Sequence, residues 1–150
     1  MATHYKGPPG QINALDSYIK LMRASHSVTA RIHRHLSEWK LTISQFGVLD
    51  ALYHLGPLFQ RDLAKKHLMS DANITMVVDN LEKRSLVRRV RRLNDRRFVN
   101  VHLTKEGTKL FEEIFPRHVL IVEREMSILD ESEQEQLGRL CRKLGLRLSD

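Results

Sequence analysis

"SDANITMVVDNLEKRSLVRRVRRLNDRRFVNVHL", residues 70–103, changes its periodicity half-way along. In the first half Ile74, Val77, Val78 and Leu81 recur at helical steps. Ser70 is a good N-cap for that helix, and Asp71 in its first turn favours the helix dipole. In the second half "LVRRVRR" (86–92) and "RFVNVHL" (97–103) have strand character, with Val99, Val101 and Leu103 alternating with Phe98, Asn100 and His102. "LND" (93–95) is the expected turn between them. Six arginines fall between Arg88 and Arg97, and Asp95 is the only acid among them. A flexible basic tail would carry such charge, but not the apolar runs on either side of it. The arginines therefore belong to a β-hairpin that directly follows a helix.

Upstream, "TISQ" (42–45) is a capping box with Thr42 as N-cap and Gln45 at the third helical position. The helix it opens carries Phe46, Leu49, Leu52 and Tyr53 and stops at Gly56 and Pro57. A short helix from about Gln60 to Lys66 turns Leu63 and Ala64 inward. The order is helix, short helix, turn, helix, two-stranded ribbon, which is the winged helix-turn-helix order. Nearer the N-terminus, "KGPPG" (6–10) is a breaker that predicts a mobile arm before a helix from about Asn13 to Trp39. Tyr18, Met22, Ser25, Val28, Ile32 and Leu36 form its stripe. Beyond the hairpin, Thr104 can cap a helix over about 105–127, in which Pro116 predicts a kink or break. "DESE" (130–133) opens a last helix bearing Leu137, Leu140, Leu144 and Leu148. The expected fold class is mainly α (α+β): a winged helix-turn-helix with a two-stranded β-wing, flanked by long N- and C-terminal helices.

Composition narrows the function. A chain of 150 residues is expected to form a single domain with a sizeable core. Lys and Arg total 25 against 18 Asp and Glu, a net charge of +7, so polyanions are the expected partners. No apolar run approaches the roughly 20 residues that span a bilayer, and "MATHYKGPPG" lacks the apolar core of a signal peptide. The single cysteine, Cys141, rules out an internal disulfide framework, and a reducing, cytoplasmic location is expected. There is no P-loop, GxSxG, HExxH or paired metal-ligand motif, so neither catalysis nor a cofactor is expected.

A winged helix suits DNA. Its second helix presents polar residues to the major groove, and an arginine hairpin beside it meets phosphates or the narrow minor groove. Ser70, Asn73, Thr75, Met76 and Asn80 form the candidate reading face: Thr and Met offer apolar contact to a thymine methyl, and Asn pairs with adenine. Arg88, Arg91 and Arg92 are candidate phosphate contacts. Arg88, Arg89, Arg91 and Arg92 alternate across a strand, so the four arginines cannot all face DNA at once.

Residues 41–107 resemble the multiple-antibiotic-resistance regulator (MarR) family. Leu41, Thr42, Gln45, Val48, Leu49 and Leu52 match its "LT…Q…VL…L" entry, Leu63 and Ala64 its "LA" helix, and Thr75, Leu81 and Glu82 its "T…LE" recognition helix. Asp95, Arg96 and Arg97 match its Asp-x-Arg wing signature, and Leu103, Thr104 and Gly107 its "LT…G" exit. The resemblance implies a homodimer joined through the terminal helices, residues 11–39 and 105–150. It implies a DNA-binding region over residues 40–104, on a pseudo-palindromic operator that such proteins usually repress. It also implies contact of Arg96 and Arg97 with phosphate or the minor groove. Asp95 would orient a guanidinium through a charge-assisted hydrogen bond. Two departures stand out. Ser85 replaces the family's glycine at the end of the recognition helix, and "RRLN" (91–94) replaces proline and acids at the wing tip.

Other features invite weaker readings. Among the 8 histidines, His26 and His33 lie about 10.5 Å apart along one helix, too far to share an ion, and His33 and His35 would point to different faces. No metal site is expected. Cys141 is expected to be a packed or interface thiol, with Arg142 and Lys143 its neighbours in sequence only. The first helix's inward stripe turns polar at Ser25, His26 and Thr29. That patch fits a dimer-interface hydrogen-bond cluster. It also fits, less well, an effector pocket of the kind the resemblance implies, in which Met22, Trp39 and Phe46 would meet an aromatic ligand and Arg23 or His26 its phenolate or carboxylate. The competing function is a winged helix used as a protein-interaction module, which would not need the arginine wing.

Overall fold

A computed structural model describes residues 2–146, apart from the side chains of Arg96 and Arg97. Leu148 of the C-terminal leucine stripe lies outside the described residues. The chain forms two compact units: residues 33–118, and the residues up to Ile32 together with those from Val119 onward.

The 33–118 unit opens with a short 3-10 helix, Arg34–Trp39. The expected single helix to Trp39 therefore changes form after His33, where α1 (Pro9–His33) ends. Three residues per turn align His33, Leu36 and Trp39 on one edge, and Leu36 is 1% exposed. Then come α2 (Ile43–Leu55), β1 (Leu58–Phe59), α3 (Gln60–Lys66), α4 (Asp71–Lys83), β2 (Val87–Arg92), β3 (Asp95–Leu103) and the first half of α5 (Lys105–Met126). The Thr42–Gln45 capping box is formed in both directions. Val48 and Leu49 of α2, Leu63 of α3, Ile74, Val78 and Leu81 of α4, Val101 of β3 and Phe111 and Ile114 of α5 are at most 1% exposed. They form one core that sets α4 against the sheet.

The sheet has three antiparallel strands in the order β1-β3-β2, one more than the expected hairpin. Gly56, at φ 77°, redirects the chain after α2, and Leu58 and Phe59 pair with Val101 and Asn100. Two residues are too few to show a strand period. Between β2 and β3 the register runs evenly from Val87 opposite Leu103 to Arg91 opposite Val99, then jumps to Arg92 opposite Asp95. Residues 96–98 are thus taken up in a bulge. The turn residues Leu93 and Asn94 lack the positive φ of the turns that match strand twist, and the bulge supplies the adjustment instead.

Thr104 caps α5 through the Gly107 N–H at 2.9 Å. A Cβ on Gly107 would lie 2.0 Å from the Leu86 carbonyl oxygen, so only glycine permits this approach of α5 to the entry of β2. A kink or break was expected at Pro116, and α5 continues through it unbroken. Pro116 is exposed, and the Glu112 carbonyl it leaves without an intrahelical donor is on an exposed residue.

In the other unit α1 starts at Pro9, earlier than expected, because proline is tolerated in a first turn. Thr3 and Tyr5 fold back onto α1, where a mobile arm was expected. The Thr3 N–H donates to Asp16 Oδ1, and the Tyr5 hydroxyl donates to Gln11 Oε1 at 2.7 Å. Arg31 Nε donates to Glu125 Oε2 at 2.7 Å, tying α1 to the end of α5. Asp130 and Glu133 form the capping box of α6 (Glu131–Gly145). Its Leu137, Leu140 and Leu144 are 39%, 49% and 66% exposed. Among the described residues no helix is long and apolar enough to cross a membrane.

Candidate nucleic-acid interface

The interface is built on α4. Ser70 Oγ accepts the Asn73 N–H at 3.2 Å, so its hydroxyl is engaged as the N-cap. Ile74, Val78 and Leu81 fasten one face of α4 to the core, which turns Asn73, Met76 and Asn80 outward at steps of three and four. Met76 is 58% exposed, unusual for a methionine with a core at hand. Thr75 is also exposed, but its hydroxyl donates to the Asp71 carbonyl at 2.7 Å and accepts from Gln60 Nε2 at 3.0 Å. It joins α4 to α3 and is less available to bases than its position implied.

Arg89 organises what lies behind this face. Its Nη1 donates to Asp79 Oδ1 at 2.6 Å and to Glu82 Oε1 at 3.2 Å, its Nη2 to the Thr75 carbonyl at 3.2 Å, and its Nε to Gln60 Oε1 at 3.0 Å. Its backbone N–H donates to Glu82 Oε2 at 2.8 Å. With its side chain only 14% exposed, Arg89 bolts the wing to both helices of the helix-turn-helix. Strand alternation in the sequence requires some inward arginine but does not single out this one. The available signal is the pair Asp79 and Glu82, one helical turn apart just upstream of the basic strand. Arg84 is likewise structural, donating to the carbonyls of Lys40 at 2.9 Å and Trp39 at 3.0 Å.

Arg88, Arg91 and Arg92 are exposed on the wing. The Arg92 guanidinium lies over the Phe59 ring, 5.5 Å from its centroid. Asp95 is half-buried at the start of β3, opposite Arg92. The backbone of Arg96 and Arg97 lies in the bulge, and their side chains are outside the described residues. The face thus combines an outward polar helix with exposed cations on an adjoining ribbon, in a chain of net charge +7.

The candidate effector residues fall into the two units. Met22, Arg23 and His26 line, with Ser27, an open groove of about 300 Å³ on α1. Trp39 and Phe46 belong to the 33–118 unit. Trp39 Nε1 donates to Glu113 Oε1 at 3.2 Å, and the Arg117 guanidinium covers its ring at 5.6 Å. Phe46 is 4% exposed, its ring stacked 5.5 Å from that of Phe111. Arg117 also pairs with Glu38 at 2.7 Å, and this hydrogen bond holds the Glu38 carboxyl below its ordinary range.

The histidines depart from expectation. His33 and His35 both converge on His118, with ring centroids at 5.4 and 5.2 Å, because the helix tightens between them. Among the described residues no group of three His, Cys, Asp or Glu side chains is placed to hold a metal ion. Cys141 is exposed on α6 of the single chain, so of the packed or interface thiol expected it is not the packed one.

Comparison with known proteins converges on one group. A family model described as the MarR family matches residues 41–99. The HTH-type transcriptional regulator MhqR of Bacillus subtilis is 32% identical over 89% of this chain and 92% of its own length. The structure of Bordetella bronchiseptica BpsR, whose DNA binding is regulated by 6-hydroxynicotinic acid, is 30% identical, with a TM-score of 0.79 over 86% of this chain and 98% of that one. The S. aureus MepR–DNA complex is 28% identical, with a TM-score of 0.76 over 88% of this chain and 97% of that one.

Proposed function

The chain belongs to the MarR family and is a DNA-binding transcriptional regulator, and from that premise we propose that it is a homodimeric cytoplasmic repressor of a pseudo-palindromic operator, without catalytic activity. In this reading residues 40–104 bind DNA within a single MarR-like domain, and residues 11–39 and 105–150 supply the dimer. The observation that carries it is the outward face of α4, Asn73, Met76 and Asn80, held beside the arginine wing by Arg89. Asn73, Met76 and Asn80 read bases, with Ser70 and Thr75 lending cap and backbone geometry. Arg88, Arg91 and Arg92 neutralise phosphates, and Arg96 and Arg97 extend that contact under the orienting influence of Asp95.

Release follows from a small aromatic acid or phenol. The α1 groove offers Met22 as an apolar wall, with Arg23 and His26 for the acid, and the relative BpsR responds to an aromatic carboxylic acid. The test is fluorescence anisotropy with two duplexes, one carrying an inverted repeat from beside the protein's own gene and one random, with and without 6-hydroxynicotinate. Preference for the repeat, weakened by the acid and not by benzamide, is expected. Equal, weak binding to both duplexes would leave the fold serving protein contacts instead.

A further inference from the structure

Phe59 of β1 and Phe98 of β3 are diagonal neighbours across the antiparallel ladder, because Phe59 faces Asn100. Their rings meet edge to face, with centroids 5.6 Å apart. Two guanidinium groups lie over this pair. Arg61 of α3 is 5.1 Å from the Phe98 centroid, and Arg92 at the end of β2 is 5.5 Å from Phe59 and 6.0 Å from Phe98. One aromatic pair therefore holds a cation from the helix-turn-helix and a cation from the wing. A cleft of about 210 Å³, lined by Phe59, Arg61, Asp71 and Phe98 among others, opens beside it.

Other arginines of this unit are held differently. Arg89 is engaged by Asp79 and Glu82, and Arg117 by Glu38 even though Trp39 lies beneath it. A carboxylate fixes a guanidinium but cancels its charge and occupies its N–H donors. A ring face fixes it through the quadrupole and leaves both charge and donors available to an anion. Arg61 remains 62% exposed, and its contact with the adjacent Asp62 is long, at 3.9 Å.

Building on the DNA-binding reading above, we propose that Phe59 and Phe98 are positioning residues for operator binding, presetting Arg61 and Arg92 as a pair of phosphate-binding cations at the junction of α3 and the wing. Ordering two long side chains in the free protein lowers the entropy lost on binding. The bulge at residues 96–98 then has a second use, since it sets where Phe98 falls against Phe59.

The test is a mutant cycle read by anisotropy across a salt series, with operator and random duplexes. Phe98→Leu should weaken binding to both duplexes by roughly tenfold, as two aromatic-held cations per subunit lose their orientation, and should flatten the salt dependence. Phe98→Tyr, which keeps the ring, should restore both. In an Arg61→Gln/Arg92→Gln background, Phe98→Leu should add no further loss. An equal loss in that background overturns the proposal, because the ring would then act through the fold alone. Arg61→Gln, at an exposed position, should itself weaken binding and flatten the salt dependence, and no effect there overturns the proposal even if the leucine variant folds poorly. Wild-type protein that binds neither duplex overturns the DNA-binding reading and the proposal together. Wild-type binding with an unaffected Phe98→Leu overturns the proposal alone.

Discussion

Ser85 carries a φ of 57° just past the end of α4. Its N–H donates to the Glu82 carbonyl at 2.9 Å and that of Leu86 to the Leu81 carbonyl at 3.0 Å, the two bonds of a Schellman motif. Lys40 and Leu68 close the 3-10 helix and α3 in the same way, at φ 53° and 52°. Each puts a Cβ where glycine fits without strain. Ser85→Gly should therefore raise stability by about 0.5–1 kcal/mol, net of the extra chain entropy of glycine. Urea denaturation reads this directly, and a lowered midpoint would refute the strain argument. His118 offers a second test. Its Nδ1 is buried with no hydrogen-bond partner among the described residues, and its ring is 4.6 Å from that of Phe46. Burial first, then His33 and His35, push its pKa down to about 4 against the pull of Asp50. An unfolded histidine titrates near 6.5. The folded state thus prefers the neutral ring, so this contribution to stability is complete above about pH 6.5 and is lost as the pH falls toward about 4. His118→Phe should reduce the loss of stability between pH 7 and 4.5, and an unchanged pH profile would show that other groups set it.

The pairing of α4 with its wing divides labour between two kinds of contact. Phosphate contacts steepen the salt dependence and carry no sequence information, whereas base contacts carry sequence information and leave the salt dependence unchanged. Strand alternation and the pairing of Arg89 with Asp79 and Glu82 leave only part of the arginine set facing DNA, and the expected slope of log K against log salt for a dimer is roughly −5 to −9. Arg91→Ala with Arg92→Ala should flatten that slope and weaken operator and random DNA alike. Asn73→Ala with Asn80→Ala should weaken the operator by about 1–3 kcal/mol and spare random DNA. Thr75 is a poorer probe, because its hydroxyl also joins α4 to Gln60 of α3. An arginine pair that alters operator affinity alone would mean that the wing reads sequence or shape.

A chain of this size rarely leaves so many large apolar side chains in water. Leu140 and Leu144 of α6 are 49% and 66% exposed, Tyr18 and Met22 of α1 are 60% and 51%, and Leu120 of α5 is 64%. These belong to the helices expected to form the dimer, and a second copy would cover them. Sedimentation velocity at micromolar concentration should show a dimer, and Leu140→Glu with Leu144→Glu should shift it toward monomer. Operator affinity should then fall more than tenfold, because the second recognition helix no longer binds as part of one molecule. A monomeric double variant that keeps full operator affinity would contradict the dimeric mode.

Features whose energetics close within a few residues are legible in the amino-acid sequence by itself. The capping boxes at Thr42 and Asp130 and the N-cap at Ser70 bond to backbone three positions on, so their spacing alone identifies them. The inward faces of α3 and α4 follow from helical period, and the order of elements from the change of period at Leu86. The strain at Ser85 is readable only through the family resemblance, which has glycine there. Distant pairings are not readable in this way. Six arginines in one hairpin look alike in sequence, and only the strand register and the approach of α4 make Arg89 a half-buried tie and leave Arg92 on an aromatic face. The third strand, the convergence of His33 and His35 on His118, and the use of the Phe46 ring against Phe111 likewise depend on which elements meet. Packing decides these because burial and cross-strand contact energies belong to residues far apart in the chain, and no local pattern encodes them.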